Sequence, residues 1–472
     1  MKLAEPDNPV RFSWLTDQGH RLSPGPYVSE SYAARRFVER LSNTDSLEEV
    51  TERIFHPGRI ARRWTTSPEF GVPFLSSADI FQADLSTLAM ITRDSCEKNG
   101  RLALEPGWTL ITRSGMTAGR VTYARLEMAG YACSEDVLRV VPDPNKIPAG
   151  YLYTFLASSL GVAMIKGTVY GTSVKHIEPA HLTDLPIPRL DEKTEHQIDG
   201  LFHEAMMRRS RFQAGVTEAT RDFFESAGLP ELIDLRWHDQ PRDVGFYASS
   251  VSSKTLRALN LSPRAHRILE RLKSVPHRTL GNICANGALG RGNRFTRVDS
   301  SPGRGLRLVG QRQVFWMNPE GRWILLKDAE AELVRARDEA ILVASQGTLG
   351  DSEVFCRAVF VYGRWQRDYV FSEHFMRVMS GDSEMPGAYL FAFLRSEVAF
   401  RVFRSMSTGG KQQDIHEGLR REIPVPECTP ADRKRIAETV RQAYRWRDEA
   451  DALEDEAQAL LAAAMAEASK KG

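Results

Sequence analysis

The sequence predicts an α+β protein that contains two tandemly repeated domains, each built from a mixed β-sheet and helices. Each domain is followed by a long helix, and the two long helices are predicted to pair as an antiparallel coiled coil. Three observations predict this fold: an internal repeat, the same order of strand and helix signals in both copies, and an apolar seam on each long helix. The chain has 472 residues, enough for about two to four domains.

The repeat appears when the chain is compared with itself at an offset of 238 residues. About fifteen identities then occur in about 65 positions, where about three or four are expected by chance. The matches include Ser134-Glu135 with Ser372-Glu373, Arg139-Val140 with Arg377-Val378, Tyr151-Leu152 with Tyr389-Leu390, Gly171 with Gly409, and Pro186 and Pro188 with Pro424 and Pro426. A period this long indicates a duplicated domain and not a solenoid.

Each copy presents the same elements in the same order. Short apolar or alternating runs bounded by Gly and Pro predict strands; these are residues 108–112, 135–141, 340–344 and 375–379. A short apolar helix follows, over residues 149–165 and 387–403, and then a Gly-rich loop, over residues 167–174 and 405–413. The P-x-P pair after each loop predicts an extended segment, because proline lacks an N–H donor and restricts the residue before it.

The long helix that ends each copy carries apolar residues spaced alternately by four and three, the pattern of a coiled-coil seam. The predicted helix-pairing residues are Ile198, Phe202, Ala205, Phe212, Val216, Ala219 and Phe223 in the first helix, and Ile436, Val440, Ala443, Ala450, Leu453, Ala457, Leu460 and Ala464 in the second. Arg209 and Arg447, again 238 residues apart, fill the vacant slots. The alternative is two unrelated amphipathic helices, each packed on its own domain.

Composition excludes several classes of protein. With 63 Lys and Arg against 61 Asp and Glu, the net charge of +2 excludes a histone-like coat. No stretch approaches the length of a transmembrane segment, and the N-terminus lacks an apolar signal sequence, so we expect a cytoplasmic protein. The five cysteines form no C-x-x-C motif, which argues against a zinc knuckle or a disulfide framework.

A set of weak motifs points to one family. They are residues 71–76 with Asp79-Ile80, residues 106–115, and residues 171–177 leading into Leu185-Pro186-Ile187-Pro188. In this order, and with the duplication, they resemble the specificity subunit of type I restriction–modification enzymes over roughly residues 45–225 and 265–465. The arm before residue 45, the long segment between the repeats and the differing second Gly-rich loop suggest a divergent, methylation-associated phage-defence variant.

The resemblance implies a chain that is not an enzyme. In that family two target-recognition domains each read half of a split double-stranded DNA target, and the paired helices separate them and dock DNA adenine methyltransferase subunits. We expect two such subunits, a further restriction or translocase subunit, and no cofactor or metal on this chain, since S-adenosylmethionine is used by the methyltransferase. A helix of about 30 residues is about 45 Å long, or about 13 base pairs.

The implied domain boundaries follow from the motif positions. An N-terminal arm covers residues 1–44, the first target-recognition domain 45–189 and the first spacer helix 190–227. A connector covers residues 228–263, the second target-recognition domain 264–427 and the second spacer helix 428–468.

Candidate DNA-binding residues come from loops rich in Arg, Lys, Gln, Ser and Thr, since Arg and Lys read guanine, Gln reads adenine, and any donor binds phosphate. In the first copy they are Arg59, Arg62, Arg63, Arg113, Ser114, Arg120, Tyr170, Thr172, Ser173 and Lys175. In the second they are Arg291, Arg294, Arg297, Arg304, Arg307, Gln311, Arg312, Gln346, Thr348, Lys411, Gln412 and Gln413. The alternative for any one arginine is a solvated surface charge.

Other signals are weaker. Residues 407–411 lack the Gly and the final Ser or Thr of a phosphate-binding loop. His176 and His181 have no cysteine nearby and are better explained as loop histidines than as metal ligands. Two further hypotheses remain: an enzyme whose catalytic site escapes sequence inspection, and a coiled-coil scaffold that pairs other proteins without reading DNA.

Overall fold

The computed structural model describes residues 10–17, 22, 27, 30–171, 175–246 and 254–471. The chain divides into two compact units. The first unit consists of Met1–Ile80, Leu88–Ser210 and Glu449–Gly472, and the second consists of Phe81–Thr87 and Arg211–Asp448. Each long helix therefore contributes one part to each unit.

In the described residues, the first unit contains ten strands and the first helices of the chain. Its helices are α1 (Phe12–Asp17), α2 (Ser31–Glu39), α3 (Arg93–Glu97), α4 (Ala149–Ala157), α5 (Ser159–Gly167) and the beginning of α6 (Glu192–Ser226). Its strands are β1 (Thr44–Ser46), β2 (Thr51–Phe55), β3 (Trp64–Thr65), β4 (Gly71–Leu75), β5 (Met90–Thr92), β6 (Thr109–Thr112), β7 (Val121–Tyr123), β8 (Ala132–Cys133), β9 (Val137–Pro142) and β10 (Pro186–Pro188).

The second unit repeats this order and adds elements. Its helices are α7 (Pro263–Lys273), α8 (Leu280–Ile283), α9 (Asp328–Val334), α10 (Arg364–Asp368), α11 (Gly387–Leu394), α12 (Glu397–Ser405), α13 (Glu417–Arg421) and the beginning of α14 (Pro430–Lys471). Its strands are β11 (His277–Thr279), β12 (Ala288–Arg291), β13 (Val298–Asp299), β14 (Leu306–Val309), β15 (Arg322–Leu325), β16 (Ile341–Ala344), β17 (Ala358–Phe360), β18 (Tyr369–Phe371), β19 (Phe375–Met379), β20 (Ser407–Gly409), β21 (Gln413–Ile415) and β22 (Pro424–Pro426).

Sheet topology confirms the α+β class and the duplication. The antiparallel sheet β2-β9-β6-β7 of the first unit matches β12-β19-β16-β17 of the second. A mixed sheet, β3-β5-β4-β8, likewise matches β13-β15-β14-β18, and each contains one parallel pair, β4 with β8 and β14 with β18. Two sheets with the same strand order in both copies are the expected product of a duplicated domain.

The P-x-P pairs form short strands, as their extended conformation predicts. β10 pairs antiparallel with β1, and β22 pairs antiparallel with β11. A buried tyrosine fixes each strand to the first half of the apolar helical segment: Tyr151 of α4 donates to the carbonyl of Pro188 at 2.5 Å, and Tyr389 of α11 donates to that of Pro426 at 2.8 Å. Proline carbonyls accept normally, so these strands keep hydrogen bonds at their prolines although the prolines have no N–H to donate.

The apolar helix of each copy is broken in two, which corrects the prediction of one helix over residues 149–165 and one over 387–403. Ser158 and Ser396 lie at the breaks with extended backbone. Their hydroxyls accept from the backbone N–H of Gly161 and Ala399, so each serine caps the second helix. A serine in an otherwise apolar run was the sequence signal for this break.

The core of the first unit includes part of the predicted N-terminal arm. Ala34 and Val38 of α2 share a buried cluster with residues of α4, α5 and β9, and Ser31 lies so close to Gly167 of α5 that a Cβ there would overlap its hydroxyl. The helix α2 is thus part of the domain, although it precedes the predicted boundary at residue 45. Residues 24–26 of the arm lie outside the described residues.

The core of the second unit surrounds α11, every residue of which is buried. Leu229 and Leu232 of the predicted connector belong to this cluster, and the Trp237 ring lies 4.2 Å from the guanidinium of Arg264. The described part of the connector therefore packs on the second unit through its first residues.

The two long helices run antiparallel and contact each other within both units. In the first, Arg208 pairs with Glu449 at 3.0 Å and Arg209 pairs with Asp451 at 2.5 Å. In the second, the Phe212 and Tyr444 rings lie 5.2 Å apart, and Asp222 pairs with Arg435 at 2.7 Å. Rising residue numbers on α6 thus meet falling numbers on α14, which is the predicted pairing.

Most residues of the predicted seams are buried; Leu453, Leu460 and Ala464 are only partly buried. Leu461 and Met465 are buried in place of the last two. The buried stripe steps by four residues after Ala457, because a straight α-helix has about 3.6 residues per turn and drifts from a 3.5-residue seam. Phe202 is buried against Tyr123 and Tyr153 of its own domain, at 4.8 and 5.1 Å between ring centroids.

No described helix is both long enough and apolar enough to cross a lipid bilayer.

Candidate nucleic-acid interface

Three segments of the first unit meet at one end of the sheet β2-β9-β6-β7. They are the residues after β6, the residue before β9 and the Gly-rich loop after α5. The Arg113 N–H donates to the Asp136 carbonyl at 2.8 Å, and the Gly115 N–H donates to the Lys175 carbonyl at 3.1 Å. These backbone bonds place the predicted residues Arg113, Ser114 and Lys175 side by side.

The matching segments of the second unit meet in the same way. The Ser345 N–H donates to the His374 carbonyl at 3.0 Å, as Arg113 does to Asp136. Gly347 exchanges two backbone hydrogen bonds with Gln413, at 3.3 and 2.8 Å. The Gly-rich loop here is a β-hairpin formed by β20 and β21.

The two Gly-rich loops have the same backbone frame, meaning the same backbone pairing and the same glycine conformation. Thr408 pairs with Asp414 in the second unit, and Tyr170 pairs with His176 at the equivalent place in the first. Gly171 and Gly409 have φ values of 97° and 99°, a conformation that favours glycine. The predicted residues Thr172 and Ser173 lie outside the described residues.

An arginine–glutamate pair holds a basic segment at this end of each unit. Arg62 contacts Glu135 at 2.7 Å, and Arg297 contacts Glu373 at 2.5 Å. Burial acts to raise the pKa of Glu373, but its backbone hydrogen bond and Arg297 hold that pKa below its ordinary value. The two glutamates are identical residues of the repeat, so both basic segments are fixed by the same contact.

A hydrogen-bonded side-chain pair lies beside each glutamate. In the first unit Ser114 donates to the carboxylate of Asp136. In the second, the Gln346 side-chain oxygen lies 2.5 Å from Nδ1 of His374. The side-chain amide of Gln311 binds both backbone groups of Gln346. It donates to the carbonyl at 2.9 Å and accepts from the N–H at 3.2 Å.

Glu178 organises a further cluster in the first unit. It accepts from Arg113, and it lies 3.3 Å from Nε2 of His56 and 3.5 Å from the Tyr170 hydroxyl. Burial acts to raise the pKa of Glu178, but the hydrogen bond and charge of Arg113, helped by His56, hold that pKa below its ordinary value. The guanidinium of Arg113 is thereby fixed in one orientation.

The remaining predicted residues fall into two groups. Exposed side chains are Arg59, Arg63, Lys175, Arg291, Arg294, Arg297, Arg304, Arg312, Thr348, Lys411 and Gln412, of which Arg63, Arg291 and Arg297 each also pair with a carboxylate. Others are engaged within the fold: Arg307 lies over the rings of Trp323 and Tyr369, and Gln413 is buried with its oxygen accepting from Arg257 at 2.8 Å. Arg291 pairs with Asp414 at 2.9 Å, which places it beside the hairpin. Arg120, partly buried, donates its backbone N–H to Thr112.

Sequence reasoning missed the acidic and histidine members of this site. Glu135 and Glu373 appeared only as identities of the repeat, and Asp136, His374, Glu178 and Asp414 were not selected. Cations and amides bind phosphate and bases most often, so acidic and histidine side chains are weaker signals for a DNA site in a sequence. A signal was available, since Asp136 and His374 directly follow an identical Ser-Glu pair.

No family profile and no curated protein sequence matches the chain. Similar solved structures include a type I restriction–modification S subunit from M. genitalium, with a TM-score of 0.33 and 13% identity, covering 89% of this chain and 93% of that one. An HsdS subunit from Thermoanaerobacter tengcongensis has a TM-score of 0.27 and 12% identity, covering 90% and 96%. A chain of a type I R-M system, described for complex assembly and conformational transition, has a TM-score of 0.24 and 13% identity, covering 90% and 97%. Over about 90% of its length, the chain is similar to S subunits of type I restriction–modification systems.

Proposed function

We propose that the chain is a non-catalytic subunit that gives a DNA methyltransferase complex its sequence specificity. In this proposal each unit reads one half of a bipartite duplex target through the end of its antiparallel sheet. One observation carries the proposal: the same backbone frame occurs twice and presents basic and amide side chains of different identity. A split DNA sequence requires two readers that share a scaffold and differ in their contacts.

The charge distribution supports a DNA ligand. The chain is nearly neutral overall, with a net charge of +2, yet exposed arginines and lysines occur in matching segments of both units. Those that follow β2 are Arg59 and Arg63, those at the end of β12 and just after it are Arg291 and Arg294, and those in or next to the Gly-rich loops are Lys175 and Lys411. Basic side chains of this kind bind phosphates, while the neighbouring amides and carboxylates are suited to base edges.

The paired helices supply the other two functions in the proposal. They separate the two readers, and their outer faces dock two DNA adenine methyltransferase subunits, one for each recognition domain. The outer face of α6 offers exposed charges and Met207, of which 44% is exposed. S-adenosylmethionine belongs to the methyltransferase subunits, and a restriction subunit joins through them.

Selection from random duplex DNA tests the proposal. The chain, purified with the methyltransferase it captures, should enrich a split motif with a fixed gap, and binding should weaken steeply with salt because phosphate contacts release counterions. Absence of enrichment, with a salt dependence no steeper than that of a control protein, would instead favour a coiled-coil scaffold. Cleavage or methylation of DNA by the chain alone would contradict the non-catalytic role.

A further inference from the structure

A comparison of the two copies distinguishes two kinds of residue at the sheet ends. Some are identical and make the same contacts in both copies, whereas others differ although their backbone is held in the same way. Identical residues make identical contacts in both copies: Glu135 and Glu373 each bind an arginine, and the N–H groups of Ser134 and Ser372 each donate to the end of a neighbouring strand, at Leu75 and Val309. The residue that follows each glutamate is held by the same backbone bond, but it is Asp136 in one unit and His374 in the other.

Each of these residues bonds to a partner that also differs between the copies. Asp136 accepts from Ser114, and His374 contacts Gln346. The two pairs are equivalent in position: one lies between the end of β6 and the start of β9, and the other between the end of β16 and the start of β19. A pair that only supported the fold would have no chemical reason to change while its neighbours and their hydrogen bonds stayed the same.

Both pairs keep unused hydrogen-bonding groups, and all four residues are partly exposed. Ser114 donates to Oδ1 of Asp136, and within the described part of the chain Oδ2 of Asp136 bonds to nothing else. Likewise, the side-chain nitrogen of Gln346 has no partner among the described residues. The first pair therefore offers acceptors, whereas the second offers an amide with a donor and an acceptor.

These two patterns match different base edges in the major groove. A carboxylate accepts from the N4 amino group of cytosine, while an amide bonds both N6 and N7 of adenine. A carboxylate among basic side chains such as Lys175 is repelled by DNA unless it meets a donor, so it also rejects wrong bases. Resting on the proposed function above, we propose that Asp136, held by Ser114, reads a cytosine in one half-site and Gln346, held by His374, reads an adenine in the other.

Asp136→Asn is the first test, in the full chain with its captured methyltransferase and a random duplex library. Asparagine keeps the shape and still accepts from Ser114, but it adds a donor. We expect the preference for cytosine at one position of one half-site to fall by about 5- to 150-fold, since a good base contact is worth about 1–3 kcal/mol. The other half-site and the gap should stay unchanged.

Asp143→Asn is the matched control, because Asp143 follows β9 at the end opposite to Asp136. Its carboxylate accepts from the backbone of Asn145 and should affect neither half-site. Gln346→Glu is the reciprocal variant, and it should replace adenine by cytosine at one position of the other half-site. Ser114→Ala serves as the second variant of the first unit, should Asp136→Asn melt at a lower temperature than the wild-type complex.

The outcomes separate this inference from the proposed function. If the wild-type complex selects no split motif, the proposed function fails. If it selects one and Asp136→Asn, Ser114→Ala and Gln346→Glu all leave base preferences unchanged, only the inference fails. A uniform loss of affinity at all positions would also overturn it, because that result assigns the pairs to phosphate contacts or to folding.

Discussion

Arg209 occupies a seam position where a coiled coil normally has an apolar residue. Only 1% of its side chain is exposed, and it contacts Asp451 at 2.5 Å and Glu454 at 2.9 Å. Burial acts to lower its pKa, but Glu454 and Asp451 raise that pKa well above its ordinary value, so the guanidinium stays charged. The ion pairs thus link α6 to α14 at one register.

Removing this charge should destabilise the first unit strongly. Arg209→Met leaves two carboxylates without their cation, and we expect a loss of about 3–5 kcal/mol in the free energy of unfolding. The neighbouring Arg208→Met is the control, because its pair with Glu449 is more exposed and should cost about 0–1 kcal/mol. Urea denaturation followed by circular dichroism measures both. Equal losses would contradict a special role for Arg209.

Asp84 provides a prediction about pH. Its carboxylate contacts Arg395 at 2.6 Å and accepts from Gln213 at 3.2 Å. Burial acts to raise the pKa of Asp84, but the charge of Arg395 and the hydrogen bonds of Ser86 outweigh it and lower that pKa. The pair stabilises the second unit above the unfolded-state pKa of about 3.9, and that stability is lost as pH falls through the lower folded-state pKa.

Asp84→Asn should therefore lower the free energy of unfolding by about 1–3 kcal/mol at pH 7 and by less near pH 3.5. The difference in unfolding free energy between wild type and variant should be constant above about pH 5 and should shrink below about pH 4. Glu218→Gln, on the exposed face of α6, is the control and should cost little at either pH. A difference that does not change with pH would contradict the assigned pairing.

At this scale the sequence predicts which residue types line the site but not their partners. Arg62 and Glu135 are far apart in the chain, and their contact depends on how two sheets are placed. Gln413 was selected as a DNA-binding candidate from its loop composition, and the pairing of β20 with β21 places its side chain against Arg257, which the composition does not reveal. Period-two alternation fixes side-chain direction only once the strand register is known.

Among the elements, α6 contains two glycines in contrasting surroundings. A Cβ added to Gly215 would lie 2.9 Å from Cβ of Ala443 on α14, whereas one added to Gly200 would meet nothing within 4 Å. The two helices therefore approach each other closely at Gly215. Glycine is there because of this contact and in spite of its low helix propensity.

Gly-to-Ala substitutions should have opposite effects at these two positions. Gly200→Ala should raise the free energy of unfolding by up to about 1 kcal/mol, because alanine favours the helix. Gly215→Ala gains the same propensity but forces the helices apart, at a cost of about 1–3 kcal/mol. Thermal unfolding of the two variants distinguishes these effects. Stabilisation by both would show that α6 and α14 are not closely packed at Gly215.

The sequence predicts a strand or helix best where a single hydrophobic pattern covers the whole element. β19 was predicted with the correct bounds, and the long helices follow from their seams. The break at Ser158 and Ser396 was missed because the surrounding residues are uniformly apolar and a cap changes only one residue. Because the chain is duplicated, each predicted element occurs in two copies, and the second copy supports the assignment made in the first.

For the molecule as a whole, the duplication organises both structure and proposed function. It explains the repeated sheets, the repeated tyrosine contacts with Pro188 and Pro426, and the two matching sheet ends at which a glutamate binds an arginine. The unit boundaries were less predictable, since residues 81–87 belong to the second unit through Asp84 and Arg395. Such a long-range contact leaves no periodic pattern in the sequence.

A final prediction concerns the paired helices as a spacer. Seven residues are inserted into α6 between Ser210 and Arg211, and seven into α14 between Asp448 and Glu449, which are the unit boundaries. One heptad in each helix preserves the seam, and it leaves the Arg209–Asp451 and Phe212–Tyr444 contacts within their own units.

Each insertion adds about 10 Å of helix, or about three base pairs. DNA selection should therefore return the same two half-sites with a gap longer by about three base pairs. An insertion of five residues in both helices is the control; it rotates the seam by about 140° and should abolish pairing and binding to the split target. An unchanged gap with intact half-sites would show that the helices do not set the spacing, because the distance between the half-sites would then not depend on helix length.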